Sequence, residues 1–381
     1  MDMKKNMMGR LKRGVQLTAL FLIPTFLALE FFSFIFFYFN LGATAYVPSY
    51  WIKNHDQIDT TEAWYTEYHD WGIWHKESSK ARHITVCYNY EYSSNSYGAR
   101  DIERSMNRKN RVVFLGDSFV EGRAVDDKRR MTNILEEHFG TEFLNFGAIG
   151  LGPLNYEIIY KELAAKFEHD HVIVGFLPLN DFTDNDLNFW RPISNVNERY
   201  RPFYSEDGKG AIYTRKKPEE RVTHPNENSW ITQIGKRYFW AYGLYREVKW
   251  ILLKYKFIQN MWRSNYSGYR DALDYQIKNT LGSLRRIAEE AKRNKKSFTV
   301  VLFPATRDYE AKNRGDDLRI KKIFKDFAEK TKTNYVDLID LIDFDEKLYH
   351  TCDGHWSPHG NLMAANALIE VLPNIIAIPK N

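Results

Sequence analysis

The chain of 381 residues is predicted to be an α/β protein. It is built on a doubly wound parallel sheet, preceded by a transmembrane helix and interrupted by one long insertion. Three observations carry this prediction. From residue 111 onward, five short and almost wholly apolar runs alternate with segments of helical period. Runs of that kind mark strands covered on both faces, and strands alternating with helices are parallel, joined by right-handed crossovers. Ahead of them lies an apolar stretch of transmembrane length, and residues 181–268 separate the third run from the next helix.

The elements follow in chain order. Residues 1–14 hold Lys4, Lys5, Arg10, Lys12 and Arg13 against Asp2, so +4 of the net charge of +5 sits in a basic tail. The remainder is close to neutral and offers no charged footprint for nucleic acid. Residues 15–39, VQLTALFLIPTFLALEFFSFIFFYF, are apolar except for Gln16, Thr18, Thr25, Glu30 and Ser33. At a helical rise of about 1.5 Å per residue this stretch crosses roughly 30 Å of hydrocarbon. Cations precede it and few charges follow, which places the tail in the cytoplasm and everything after residue 40 outside. The rival is a cleaved signal peptide ending in the small-residue pair Ala43 and Ala45. The apolar run is longer than the usual signal core of about 7–15 residues, which favours an uncleaved anchor. Glu30 lies in mid-span, either facing a partner helix or carried neutral or snorkelling, and Pro24 is expected to kink the helix.

Residues 45–105 show no clear period and are rich in Trp, Tyr and His, with strand-like pieces such as HITVCYNYEY at 83–92. They are expected to form an irregular lead-in packed on the main domain, which spans 106–381. Its five strands are expected at 111–115, 142–146, 171–178, 297–303 and 334–339. Helices are expected near 128–139, 154–167, 271–294, 316–331 and 357–372. The sum is a flavodoxin-like three-layer α/β/α arrangement with a five-stranded parallel sheet. The 181–268 insertion is too long for a structureless loop and is expected to be a cap. Its stretch 231–262 interleaves aromatics with Lys and Arg, as in a cap helix packed on the domain or a helix lying on a membrane surface. The two cysteines, Cys87 and Cys352, either form one bridge or stay free, and neither belongs to a CxxC pair that would suggest structural zinc.

Ligands of open α/β sheets bind at the carboxyl ends of the strands. The first strand is followed by GDSFVEG (116–122), with Ser118 on a tight turn. The second leads to NFGAIGLG (145–152), the third to LNDFTDND (179–186) headed by Asn180, and the fifth to YHTCDGHWSPHGN (349–361). A hydroxyl, exposed backbone N–H groups, a carboxamide and a histidine therefore meet on one rim. These are the parts of acyl transfer: nucleophile, oxyanion donors and general base. The glycine loop lacks the G-x-G-x-x-G spacing of a dinucleotide site. His355 and His359 are spaced like metal ligands on a helix. Ser357 is a good N-cap and Pro358 suits the first helical position, so the helix should begin between the two histidines. Trp356 also fills the place of the glutamate in H-E-x-x-H, and no metal site is expected there. The EHDH run at 168–171 lies at the amino end of the third strand, where solvated loop polarity is the better reading. Asp181, Asp184 and Asp186 are assigned to a polar loop feeding the cap. Asn265 matches a glycosylation sequon, a short motif of little weight.

These blocks resemble the SGNH (GDSL-type) hydrolases from about residue 111 to 373, interrupted by the insertion. With NSYGARD (95–101), they look like the family's membrane-anchored or secreted bacterial branch. The resemblance implies that Ser118, in the block Gly116-Asp117-Ser118, is the nucleophile and His355 the base. It implies an oxyanion hole made by the N–H groups of Ser118 and Gly150 and the side chain of Asn180. The commoner family pattern sets the acid three residues before the histidine, which here is Cys352. The nearest acid is Asp353, two residues before, and in an extended strand residues i and i+2 point the same way. Asp353 is therefore taken as the residue that orients His355. The implied activity is that of a membrane-anchored serine esterase or deacylase without cofactor, cleaving an O-acyl ester outside the cytoplasm. Its substrate would be an ester or acylated glycan. An O-acyltransferase of an envelope glycan would use the same site. A non-catalytic envelope protein binding a glycan or partner would keep the fold alone.

Overall fold

The computed structural model describes residues 2–39, 41, 48, 64–85, 87–191, 199–218, 234–235, 237–248, 266–351 and 353–376. The chain divides into two compact units, Met1–Ile58 with Glu227–Leu252, and Asp59–Asn226 with Leu253–Asn381.

The first unit is organised on helix α1 (Asp2–Tyr38), whose part Thr18–Tyr38 is long and apolar enough to cross a membrane. Two of its hydroxyls are satisfied within the helix. The Thr25 and Ser33 hydroxyls donate to the carbonyls of Phe21 and Leu29, both at 2.7 Å. That is the usual way a hydroxyl is carried on an apolar helix. Glu30 does have a partner helix, supplied by the chain itself. Its carboxylate accepts the backbone N–H groups of Trp240 and Ala241, each at 3.0 Å, at the start of a helix over 240–248. Phe34 meets Trp240 edge-on with ring centroids 5.3 Å apart, and Phe26 meets Phe239 at the same distance. Of the aromatic stretch 231–262, only 234–235 and 237–248 belong to the described residues.

The second unit opens with two antiparallel hairpins, β1 (Tyr65–His69) with β2 (Gly72–His75) and β3 (Lys80–Ile84) with β4 (Asn89–Ser93). The lead-in segment is thus more regular than its sequence suggests. Thr66, Glu67, His75 and His83 are buried beside Trp64, Trp74 and Tyr92, so polar side chains face inward and erase the apolar–polar alternation that marks a strand.

All five expected strands are present. The order is β5 (Val112–Gly116), helix α2 (Ser118–Glu121), α3 (Met131–Phe139), β6 (Phe143–Gly147), α4 (Pro153–Glu162) and β7 (His171–Phe176). Then come the short hairpin β8 (Pro202–Tyr204) and β9 (Ala211–Tyr213), α5 (Asp274–Arg293), β10 (Ser297–Leu302), α6 (Arg319–Thr331) and β11 (Asn334–Asp337). A two-stranded ribbon, β12 (Tyr349–His350) with β13 (Asp353–Trp356), leads into α7 (Pro358–Val371). The sheet runs β11-β10-β7-β5-β6, every pair parallel. Residues Val112–Leu115 of β5 are at most 3% exposed, as a strand covered on both faces must be. Helices α3 and α7 pack together over one face, and α4 and α5 over the other. The first strand has the second on one side and the third on the other, so the strand order reverses between β5 and β7. A crevice at that switch point is where such sheets hold ligands.

Candidate active site

Strand β5 ends at Gly116, where a Cβ would collide with Val120. Asp117 then caps α2, its carboxylate accepting the Phe119 N–H at 2.9 Å, and Gly122 stops the helix after one turn in the left-handed region (φ +75°). Ser118 is thereby fixed as the first residue of a one-turn helix at the carboxyl end of β5. Strand β6 ends at Gly147, where a Cβ would run into the backbone of Glu121. Only glycine lets the following loop pass this close to the serine turn. Within that loop Gly150 sits at φ +68° with open space around the position of a Cβ.

The ribbon β12–β13 brings the histidine. Ser357 caps α7 by accepting the N–H groups of His359 and Gly360, both at 3.1 Å, and Pro358 takes the first helical position. The helix starts between the two histidines, as the sequence predicts. His355 is left on β13, with its Nε2 2.8 Å from Ser118 Oγ. Its Nδ1 bonds to Asp353 Oδ1, and its backbone N–H donates to the same oxygen at 3.2 Å. In the tautomer whose Nδ1–H donates to the carboxylate, the Nε2 lone pair faces the serine hydroxyl. Burial opposes ionisation of Asp353. The His355 ring and its hydrogen bond, the Tyr88 hydroxyl and the Arg123 charge outweigh that and hold the carboxyl well below the usual range. His359 turns instead to Asp345, 3.5 Å away, and His350 pairs with the Ala124 carbonyl at 2.8 Å. Cys352 lies outside the described residues, whereas Cys87 is disulfide-bonded.

Asn180 lies beside this turn, but its amide is engaged. It donates to Asp117 Oδ2 at 3.2 Å and to Asp184 Oδ2 at 2.9 Å. Holding an oxyanion would require one N–H to leave its carboxylate. The glycine and asparagine loops are clipped together by side chains that the sequence did not single out. Asn185 donates to Asn155 Oδ1 at 2.6 Å and accepts the Leu154 N–H at 3.0 Å. Arg201, from the insertion, bridges the carbonyls of Gly150 (3.2 Å) and Asp184. The EHDH histidines are absorbed locally, His171 by Ser297 and Thr299, His169 by Tyr160 and the Phe167 carbonyl. Among the described residues no group of three or more His, Cys, Asp or Glu is placed to hold a metal.

Several buried carboxyls near the strand ends are pushed upward by desolvation. Asp117 rises to about 6, Asp184 to about 7, Asp308 to about 6 and Asp337 to about 6. An acid whose folded pKa exceeds its unfolded value binds more protons in the native state, so stability falls as pH rises between the two. Glu121, buried against His75 and lowered to about 2, acts oppositely, but only below about pH 4.5. His83 and His171, both pushed down to about 3 by burial, also work the other way, losing stability as pH falls below about 6.5. The test is therefore a difference: the wild-type melting midpoint should gain on that of Asp184→Asn as pH falls from 8 to 5. A difference that stays constant or shrinks toward pH 5 would contradict the assignment of Asp184.

The fold and these side chains define a class of arrangement: a Ser–His–Asp hydrogen-bonded triad at the switch point of a parallel α/β sheet. No family model matches the chain, and no curated protein matches it. Among solved structures it is similar to a member of the lipolytic protein G-D-S-L family from Veillonella parvula DSM 2008, at 11% identity. That match covers 70% of this chain and 100% of the other, with a TM-score of 0.38. It is also similar to TesA, at 9% identity over 71% and 100% of the two chains, TM-score 0.40. A third is the psychrotrophic esterase EstA from Pseudoalteromonas sp., at 9% identity over 70% and 97%, TM-score 0.37. At such values the chemistry has to be read from the side chains themselves.

Proposed function

We propose that this chain is a membrane-anchored serine hydrolase of the SGNH type, cleaving an O-acyl ester outside the cytoplasm. The observation that carries the reading is the placement of His355, with Nε2 2.8 Å from Ser118 Oγ and Nδ1 on Asp353. In this reading His355 takes the Ser118 proton as Oγ attacks the ester carbonyl. The resulting imidazolium, steadied by Asp353, returns the proton to the departing alcohol. Water then attacks the acyl-serine with His355 again as base, releasing the carboxylic acid and restoring the serine. The N–H groups of Ser118 and Gly150 would receive the oxyanion, joined by Asn180 once an amide N–H is released. The apolar α1 supports anchoring. The disulfide at Cys87 supports an oxidising compartment, since such bonds are rare in the cytosol.

The detergent-solubilised full chain should be labelled by a fluorophosphonate on Ser118 and should hydrolyse p-nitrophenyl acetate. No labelling and no turnover would remove the hydrolase reading, and turnover accelerated by an added sugar would convert it to acyl transfer. Gly150→Ala should lower kcat more than it raises KM, by about tenfold or more. The side chain has room, but the left-handed backbone costs about 1 kcal/mol and turns the N–H away from the oxyanion. Unchanged kcat in that variant would take Gly150 out of the oxyanion hole.

A further inference from the structure

We propose that Tyr88 is a positioning residue for the triad, its hydroxyl fixing the Asp353 carboxylate in the orientation that His355 needs. The inference rests on the reading of Ser118, His355 and Asp353 given above.

Asp353 is carried by the β12–β13 ribbon, which is not hydrogen-bonded into the main sheet. Two strands alone are marginal in water, and a carboxylate at i−2 from the histidine must be held in plane by something outside the ribbon. Its Oδ1 is taken by the backbone N–H and Nδ1 of His355. Its Oδ2 accepts the Tyr88 hydroxyl at 2.7 Å. Both oxygens are then fixed, and rotation of the carboxylate about its own axis would break bonds at each end.

Tyr88 is itself built in. It sits in the connection between β3 and β4, is 5% exposed and stacks parallel on Tyr90 with centroids 6.0 Å apart. His83 meets it edge-on at 4.9 Å and His350 lies 4.9 Å away. The neighbouring Cys87 is disulfide-bonded, which restrains the connection covalently. The titratable and charged groups that face Asp353 are His355 on its own strand, His350 on β12, Tyr88 and His83 from the second hairpin, and Arg123 after α2. His83 is pushed down to about 3 by burial and by Arg123, and so stays neutral. Burial, with the charge of Asp353, holds the Tyr88 phenol above its ordinary range. The phenol therefore remains a donor at any working pH, and an ionised carboxylate can only accept. The bond has one direction.

A donor on Oδ2 does two things for Ser118. It keeps Oδ1 pointed at Nδ1, which fixes the ring. It also draws charge from the carboxylate, which moderates how strongly Asp353 stabilises the imidazolium. The test uses the full chain in detergent with p-nitrophenyl acetate. Tyr88→Phe should lower kcat/KM by about tenfold, chiefly in kcat. It should also move the acid limb of the pH profile upward, because the unmoderated carboxylate favours protonated His355. A second variant with 3,5-difluorotyrosine at position 88 keeps the shape and strengthens the donor, and it should move the acid limb downward. Opposite shifts are a signature that a purely packing role cannot give, and the fluorinated variant alone decides if Tyr88→Phe does not fold. Profiles that superpose on the wild type, or shift in the same direction, overturn the role of Tyr88. A wild-type chain without turnover or fluorophosphonate labelling overturns the hydrolase reading, and this role falls with it.

Discussion

Ser118→Ala is expected to lower kcat for p-nitrophenyl acetate by about 10⁴–10⁶, the range seen when the nucleophile of a serine triad is removed. Its melting midpoint should move little, because the change deletes one oxygen from a turn held by other groups. The Asp117 cap on the Phe119 N–H, the Gly122 stop and the Asn145 amide on the Val120 carbonyl (2.6 Å) all survive. Loss of activity with a retained melt would separate chemistry from folding. Residual turnover within a factor of ten of the wild type would mean that hydrolysis occurs elsewhere on the molecule.

The second large effect is expected from Asp353→Asn, about 10⁴ in kcat with the fold intact. The carboxylate accepts the Tyr88 hydroxyl at one oxygen and the Nδ1 proton of His355 at the other. An asparagine is neutral and cannot steady the imidazolium, and its NH₂ must face either the Tyr88 hydroxyl or the two N–H groups of His355. In the second orientation the ring proton is forced onto Nε2, which can then no longer take the proton from Ser118. Alkaline pH should not rescue the variant, since the fault lies in the tautomer. A wild-type rate in Asp353→Asn would reassign the orienting group to another acceptor.

Much of this was legible in the sequence, for identifiable reasons. The five strands are covered on both faces, so VVFL and HVIVGF announce themselves as unbroken apolar runs, and Gly116 and Gly147 mark where they end. The histidine was placed by local chemistry: Ser357 and Pro358 can only start a helix, which leaves His355 outside it. The eight-residue helix Thr306–Asn313 after β10 went unread because its sequence TRDYEAKN offers almost no apolar stripe. The hairpins were hidden because their inward faces carry His75, His83 and Thr66. Tyr88 meets Asp353 across 265 residues and Arg201 meets Gly150 across 51. No spacing rule reaches so far. Asn180 shows the opposite limit. Its position was readable, but not that two carboxylates would hold both of its N–H groups.

The link between Glu30 and the helix at 240–248 bears on how the molecule should be prepared and on what a processing protease would do to it. Severing the chain near Ala45 would strip the amides of Trp240 and Ala241 of their acceptor. It would also bare the rings of Trp240 and Phe239 now seated on Phe34 and Phe26. A truncated fragment would need a substitute for that greasy surface and would be prone to self-association. A preparation that keeps the first helix keeps these contacts within its unit.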